Sequence, residues 1–228
     1  MANRGGLLGG GAMLVGVSLA WLRLVPGIVG FALFALGGLV CLVASIAVIV
    51  GLLRGRGLRA GGVVALAGAA LLLIAARPGV GVPRINDFST DLADPPAFTY
   101  AATLVPNLGR SLAYPPAFAA EQRACCADLH PARLPMTVAE AFPRVRDAAA
   151  GMPSWTLTTS DPATGLIEAV ATSTVFGFED DIVIRVRPVA DGAGSVVDVR
   201  SKSRDGQGDL GVNANRIRAF VGRLEQGG

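Results

Sequence analysis

The sequence predicts an α+β chain in two parts: N-terminal transmembrane helices, three in number, then a small antiparallel four-stranded sheet covered by two helices. Three observations lead there. Of the 228 residues 52% are hydrophobic and the mean hydropathy is +0.53, above what a water-soluble domain of this size carries. Charge is divided unevenly. Residues 1–76 hold five arginines (Arg4, Arg23, Arg54, Arg56, Arg59) and no acid, whereas the rest holds 15 basic and 17 acidic residues, so the net +3 is +5 on one side and −2 on the other. Beyond residue 136 the apolar residues follow a helical period, then strand alternation, then a helical period again.

Residues 28–53 form an uncharged run, IVGFALFALGGLVCLVASIAVIVGLL, longer than the ~20 residues a helix needs to cross the hydrocarbon layer. Residues 7–24 are apolar but short and glycine-rich, and read as a first crossing or as the apolar part of a signal sequence. Pro26 and Gly27 break the chain between these two segments, and residues 60–76 give a third span. Arg54, Arg56 and Arg59 sit in the short loop between the second and third spans, where the positive-inside bias is informative. That loop is expected in the cytoplasm, and everything after Ala76 outside it, in a periplasm facing a bacterial inner membrane. Losing the first span would move the N-terminus and leave the C-terminal part where it is. Gly30 and Gly37, and Gly61, Ala65 and Ala69, place small residues on one helix face, as close helix packing requires. No Asp, Glu, His or Lys falls within the spans, which argues against a proton relay or a charged pore.

Residues 77–136 are proline-rich, with PPAF at Pro95–Phe98 and Pro115–Phe118, and read as an ordered arm whose phenylalanines dock on a surface. Residues 137–228 form the α+β domain. Thr137 and Glu140 make a capping box for a helix reaching Met152, within which Pro143 is awkward. Four strands follow at Trp155–Thr159, Leu166–Phe176, Ile182–Val189 and Val196–Ser203. In the last two, Ile182, Ile184, Val186, Val197 and Val199 share the core face, and Arg185, Arg187, Asp198, Arg200 and Lys202 the opposite, solvent-side one, together with Glu168. A turn centred on Gly192 and Ala193 would set Arg187 against Asp198 and Arg185 against Arg200. The final helix, from an Asp209 N-cap to Gln226 and ended by Gly227 and Gly228, presents Leu210, Ala214, Ile217, Val221 and Leu224 on one stripe.

Known reaction motifs are missing: there is no G-x-S-x-G, H-E-x-x-H, Walker lysine or G-x-G-x-x-G opening a helix. Cys125, Cys126 and His130, in CCADLH, form the one soft-ligand cluster, and adjacent cysteines are poorly placed to share a metal, so neither metal nor cofactor is expected. In an oxidising compartment the two thiols would pair, across chains or with each other; burial as small hydrophobes is the third reading. The near-neutral C-terminal part lacks the basic field that nucleic acid requires. Two polar strings stand out. One is Arg84, Asn86 and Asp87; the other runs from Arg200, Ser201, Lys202, Ser203 and Arg204 into the start of the last helix and Arg216. There, exposed backbone N–H groups would favour an anion, while capping with Asp–Arg pairs explains the same residues. With Arg185 these form the candidate binding set.

The strings PRINDFSTD, PPAF, YPPAF, FGFEDDIVIRVRP and VDVRSKSRDGQGDLGVNANRIRAF, over about Pro83 to Leu224, resemble the bacterial and plastid family catalogued as domain of unknown function 1499. The resemblance implies hydrophobic spans ahead of the domain and supplies no activity. Its recurring residues map to Arg84, Asn86, Asp87, Thr90, Phe176, Asp180, Asp181, Arg185, Arg187, Arg200, Ser201, Ser203, Gly211 and Arg216. Relatives carry Ala/Tyr-like residues where Cys125 and Cys126 stand, which argues against a family-wide cysteine mechanism. The expected function is a membrane-anchored, extracytoplasmic binding or scaffold protein that meets membrane lipids, an envelope protein or an anionic ligand. The alternatives are an envelope hydrolase using Asp87, Asp180 or Asp181, and a soluble domain that regulates its spans.

Overall fold

The computed structural model describes residues 2–190 and 194–226, which form two compact units, Met1–Val80 with Ser173–Phe178, and Gly81–Thr172 with Glu179–Gly228. The first unit contains α1 (Ala2–Trp21), α2 (Gly27–Leu53) and α3 (Ala60–Ala76), the last running into a 3₁₀ turn at Arg77–Gly79. Two helices, Gly27–Leu53 and Ala60–Gly79, are long and apolar enough to cross a membrane. The expected count of three is corrected to two: α1 is a 20-residue helix, but six of its residues are glycine and its first turn holds Asn3 and Arg4, so its apolarity falls short.

The small residues of these helices serve close packing. In α1 the buried positions are Gly6, Gly9, Met13, Gly16 and Ala20, one stripe at alternating spacings of three and four. A methyl group at Gly16 would lie 2.5 Å from the Gly30 carbonyl oxygen, and one at Gly37 2.5 Å from that of Gly9, so α1 and α2 meet backbone to backbone. Gly61, Ala65 and Ala69 are buried in α3, and Asn3 Oδ1 accepts the Gly61 N–H at 2.7 Å, satisfying one of that helix's open donors. The connection Ser173–Phe178 belongs to this unit, with the Phe176 ring edge-on to Phe31 at 5.4 Å.

The second unit is built on an antiparallel sheet of six strands, where four were expected. The strands are β1 (Asp87–Ser89), β2 (Ala132–Leu134), β3 (Trp155–Asp161), β4 (Leu166–Thr172), β5 (Glu179–Pro188) and β6 (Ser195–Ser203). Their order is β1-β6-β5-β4-β3, and β2 continues the β1 edge by pairing with the other half of β6. The two extra strands come from the arm, three residues each, too short for an alternation to announce them. The strand expected over Leu166–Phe176 also ends early, at Thr172, where the aromatic connection leaves the sheet.

Helices α5 (Val138–Ala150) and α6 (Val212–Gln226) cover one face, where Phe142, Val145, Ile217, Phe220 and Leu224 meet Ile167, Ile182, Ile184, Val197 and Val199. The Thr137–Glu140 capping box is present, and α5 runs through Pro143. Asp209 caps α6, accepting the N–H groups of Gly211 at 2.9 Å and Asn213 at 2.6 Å. The opposite face was expected to be solvent-side and is instead closed, because every residue of β6 is buried. What covers it is the arm. Its register also differs by two from the expected one: Arg185 faces Asp198, Arg187 faces Val196 and Arg200 faces Val183. The turn at residues 191–193 and the end at Gly227 and Gly228 lie outside the described residues.

Candidate functional site

Alternation along β1, β4, β5 and β6 puts Asp87, Glu168, Asp181, Arg185, Arg187, Asp198, Arg200 and Lys202 on the arm-covered face. At its centre lies Arg200, 2% exposed. Its Nε and Nη2 donate to the two oxygens of Asp87 at 2.9 and 2.8 Å, and Nη1 and Nη2 donate to the carbonyls of Pro96 and Leu112 at 3.0 and 2.7 Å. Its Cζ lies over the Phe98 ring, 4.8 Å from the centroid, and 5.4 Å from the centroid of Tyr114. Lys202 Nζ adds a third bond to Asp87 at 2.9 Å. Burial first, then the nearby Asp87 carboxylate, push the Tyr114 phenol up to about 12, so it stays neutral.

Three further carboxylates fasten the arm or the strand ends. Glu168, buried on β4, accepts Thr99 N–H and Oγ1–H at 2.7 and 2.6 Å, Tyr100 N–H at 2.9 Å and Ala101 N–H at 2.7 Å, the donors opening a 3₁₀ turn. Asp198 accepts Nε of Arg185 at 3.1 Å and of Arg187 at 2.7 Å; Arg185 also reaches Asp94. The bond to Asp198 holds the Arg187 guanidinium above its usual value. Asp181 accepts Nε and Nη2 of Arg204 at 3.0 and 2.6 Å and Nδ2 of Asn107, from the arm, at 2.9 Å. Burial opposes the charge of Arg204, and its bonds to Asp181 and Glu179 outweigh that, raising its pKa.

On the core face, at the end of β6, lies a second group. Arg216 of α6 donates to Asp180 at 2.6 Å and to Ser201 Oγ at 3.0 Å, and Asn213 Nδ2 donates to Ser203 Oγ at 2.8 Å. Asn86 Nδ2 donates to the Gly206 carbonyl at 2.7 Å. The backbone donors at the start of α6, expected to attract an anion, are taken by Asp209 itself. Burial pushes the Asp209 carboxyl above its ordinary value, the bonds from Asn213 and Gly211 working against that rise.

Most of the predicted set is therefore brought together in internal groups: Asp87, Arg200 and Lys202; Arg185 with Asp198; and Ser201, Ser203 and Arg216 with Asp180. Arg204 belongs with Asp181. Arg84 is exposed, and Asn86 and Arg216 are half-buried. Gln122 escaped sequence reading altogether. From α4 (Pro116–Cys125) its buried amide accepts Ser89 N–H at 3.0 Å and donates to Ser89 O at 2.6 Å, closing the outer edge of β1 as another strand would. Asn107 was missed as well, and only its place between Pro106 and the turn Gly109 hinted at a structural role. Cys125 and Cys126 are bridged to each other at the end of α4. Among the described residues no group of three or more His, Cys, Asp or Glu is placed to hold a metal ion.

Helices of membrane-crossing length joined to a sheet with one face closed by helices and the other by a proline-rich arm, through Asp–Arg contacts, define the class of protein. The chain belongs to the family described as "Protein of unknown function (DUF1499)", which matches residues 87–224. That match begins with Asp87, the acceptor at the centre of the covered face. No curated protein and no solved structure matches the chain.

Proposed function

We propose that the chain is a membrane-anchored, extracytoplasmic binding or scaffold protein of a bacterial inner membrane, whose C-terminal domain is a rigid block and not a reaction centre. The observation that carries this is how the domain's carboxylates are used. Asp87, Asp180, Asp181 and Asp198 each accept from arginine, and Glu168 from three amides and a hydroxyl. A general acid or base has to exchange its proton with a substrate within reach. Carboxylates held by arginines and by the arm's amides inside the fold favour a structural role, and the hydrolase alternative draws no support from them. Arg54, Arg56 and Arg59 lie between the two candidate spans, which by the positive-inside bias puts the domain outside the cytoplasm. Arg84 and Asn86 are the members of the binding set outside the internal groups, through which an anionic envelope partner would be met.

A reporter active only outside the cytoplasm, fused to the C-terminus of the full chain, is expected to be active, and a fluorescent protein that matures only in the cytoplasm to stay dark. The reverse pattern refutes the topology. Proximity labelling from the same C-terminus is expected to mark envelope components, with loss of part of that set in Arg84→Glu. An unchanged set removes Arg84 from the binding edge.

A further inference from the structure

We infer that one end of the domain's sheet rests on the bilayer, with Val105, Leu108, Leu210 and Val212 in its interfacial layer; the inference rests on the membrane anchoring proposed above. Among the described residues of the domain, the large apolar side chains left exposed are these four and Tyr100. Scattered apolar residues on a surface need no explanation, but a cluster does. Leu210 lies just before α6 and Val212 opens it, and Asn213 of this helix is bonded to Ser203 at the last position of β6. Val105 and Leu108 flank Asn107, bonded to Asp181 near the start of β5, and Arg110 donates to the Ser203 carbonyl at 3.0 Å. Ser203 pairs with Asp180, so both pairs stand at the end of the sheet where β6 ends and β5 begins, Val105 and Leu108 with the arm on one face, Leu210 and Val212 with α6 on the other.

The tip carrying Val105 and Leu108 is held in place. Asn107 is buried, and its Nδ2 donates to the Ala101 carbonyl and to Asp181, each at 2.9 Å. Yet Val105 and Leu108 are 80% and 63% exposed. A turn fixed by a buried polar network and offering aliphatic side chains to the outside is organised in advance for an apolar environment.

Connectivity names that environment. Both covalent links from the domain to the helical unit leave from this same sheet end. Residues 80–86 join the 3₁₀ turn after α3 to β1, and residues 173–178 leave β4 at Thr172 and re-enter at Glu179. Seven residues span at most about 25 Å, so the tether confines this end close to the lipid, where a weak apolar contact acts at high effective concentration. Side chains of this kind partition into the interfacial layer. The β3–β4 turn around Thr164, at the opposite end, is far from both links along the sheet.

The test uses the full chain, Cys41→Ala, in nanodiscs of phosphatidylethanolamine and phosphatidylglycerol, with a nitroxide at Val105→Cys, Leu108→Cys or Leu210→Cys and at Thr164→Cys as reference. Oxygen accessibility relative to that of a water-soluble nickel complex is expected to be several-fold higher at 105, 108 and 210 than at 164. Equal, water-like ratios at all four positions, in a chain that remains in the membrane pellet after carbonate washing, overturn the bilayer contact alone. Release of the chain by carbonate overturns the anchoring and this inference together. Water-like ratios combined with immobilisation of the nitroxides by added envelope proteins would mean a protein docks there, and the bilayer contact falls.

Discussion

Asp87→Asn and Lys202→Met change one buried charge each at the same site and should differ widely in effect. Asp87 is fully buried, Arg200 is 2% exposed and Lys202 7%. Together they carry a net +1, with one carboxylate serving two cations. Removing the Lys202 charge leaves a neutral bidentate pair. The ion pair lost is offset by the desolvation that Lys202 no longer incurs, so a net change of about 1 kcal/mol or less is expected. Removing the Asp87 charge leaves a net +2 and sets an amide donor against other donors. With charge centres ~4 Å apart and an effective dielectric constant of ~20, each pair contributes about 4 kcal/mol before solvation is counted. Relaxation and entering water reduce the sum, and breaking one side of a buried ionic group costs about 3–5 kcal/mol. That is a large share of the roughly 5–15 kcal/mol by which a domain is stable. Urea unfolding of the full chain in mild detergent, read by near-ultraviolet circular dichroism, should move by roughly 2 M for Asp87→Asn at a slope of about 2 kcal/mol/M. Hydrogen exchange should rise first in residues 96–114, where the carbonyls of Pro96 and Leu112 lose a well-placed donor. Equal shifts for the two variants, or a larger one for Lys202→Met, would refute the reading of Asp87 as the shared counter-ion.

Glu168→Gln exchanges a carboxylate with four incoming hydrogen bonds for a group that must turn a donor toward one of them; a loss of about 2–3 kcal/mol is expected, with exchange rising at Thr99, Tyr100 and Ala101. Asp209 has a raised folded-state pKa, so between its unfolded and folded values the native state binds more protons than the unfolded one. Its contribution to stability should therefore be most favourable below the unfolded value and decline as pH rises through the folded one, a slope that Asp209→Asn removes when unfolding is followed from pH 3 to 7. In the helical unit, Gly37→Ala drives a methyl group to 2.5 Å from the Gly9 carbonyl oxygen, while Gly11→Ala meets nothing within 4 Å. Thermal denaturation in detergent should show Gly37→Ala destabilised and Gly11→Ala unchanged or up to about 1 kcal/mol more stable.

The parts of the fold that were legible in the sequence are those with long, regular patterns. The apolar run of α2 was visible at once, as were the capping box of α5, the stripe of α6 and the division of β5 and β6 into an aliphatic and a charged face. Register was not, because the aliphatic face is the same for an even shift and the turn that fixes the pairing offers several centres within VADGAGS. Strands β1 and β2 are three residues long and stabilised by what pairs with them, so no local pattern could reveal them. The same holds for Gln122, whose role as a substitute strand edge depends on a strand 33 residues away in the chain. Of the candidate site, the residue types and their common face were readable. Whether that face was wet was not, since alternation is the same under solvent and under an arm.

What could have decided that question is the arm itself. Some sixty residues between α3 and α5 with little regular structure are far longer than an ordinary connection, and a compact domain tolerates such a stretch only when it lies on something. One face of the sheet goes to α5 and α6, so the arm is left the other. An irregular chain brings unpaired N–H and C=O groups with it, and these have to be satisfied once water is excluded. Here the sheet supplies the partners: Glu168 takes the arm's amides, and Arg200 donates to its carbonyls while remaining bidentate to Asp87. Arginine suits that task because its fork serves a carboxylate and two carbonyls at once, while its cationic carbon sits over the rings of Phe98 and Tyr114. The charges that first read as a surface for a partner thus answer a need internal to the fold. The search for a ligand moves away from them, toward Arg84 and the apolar sheet end.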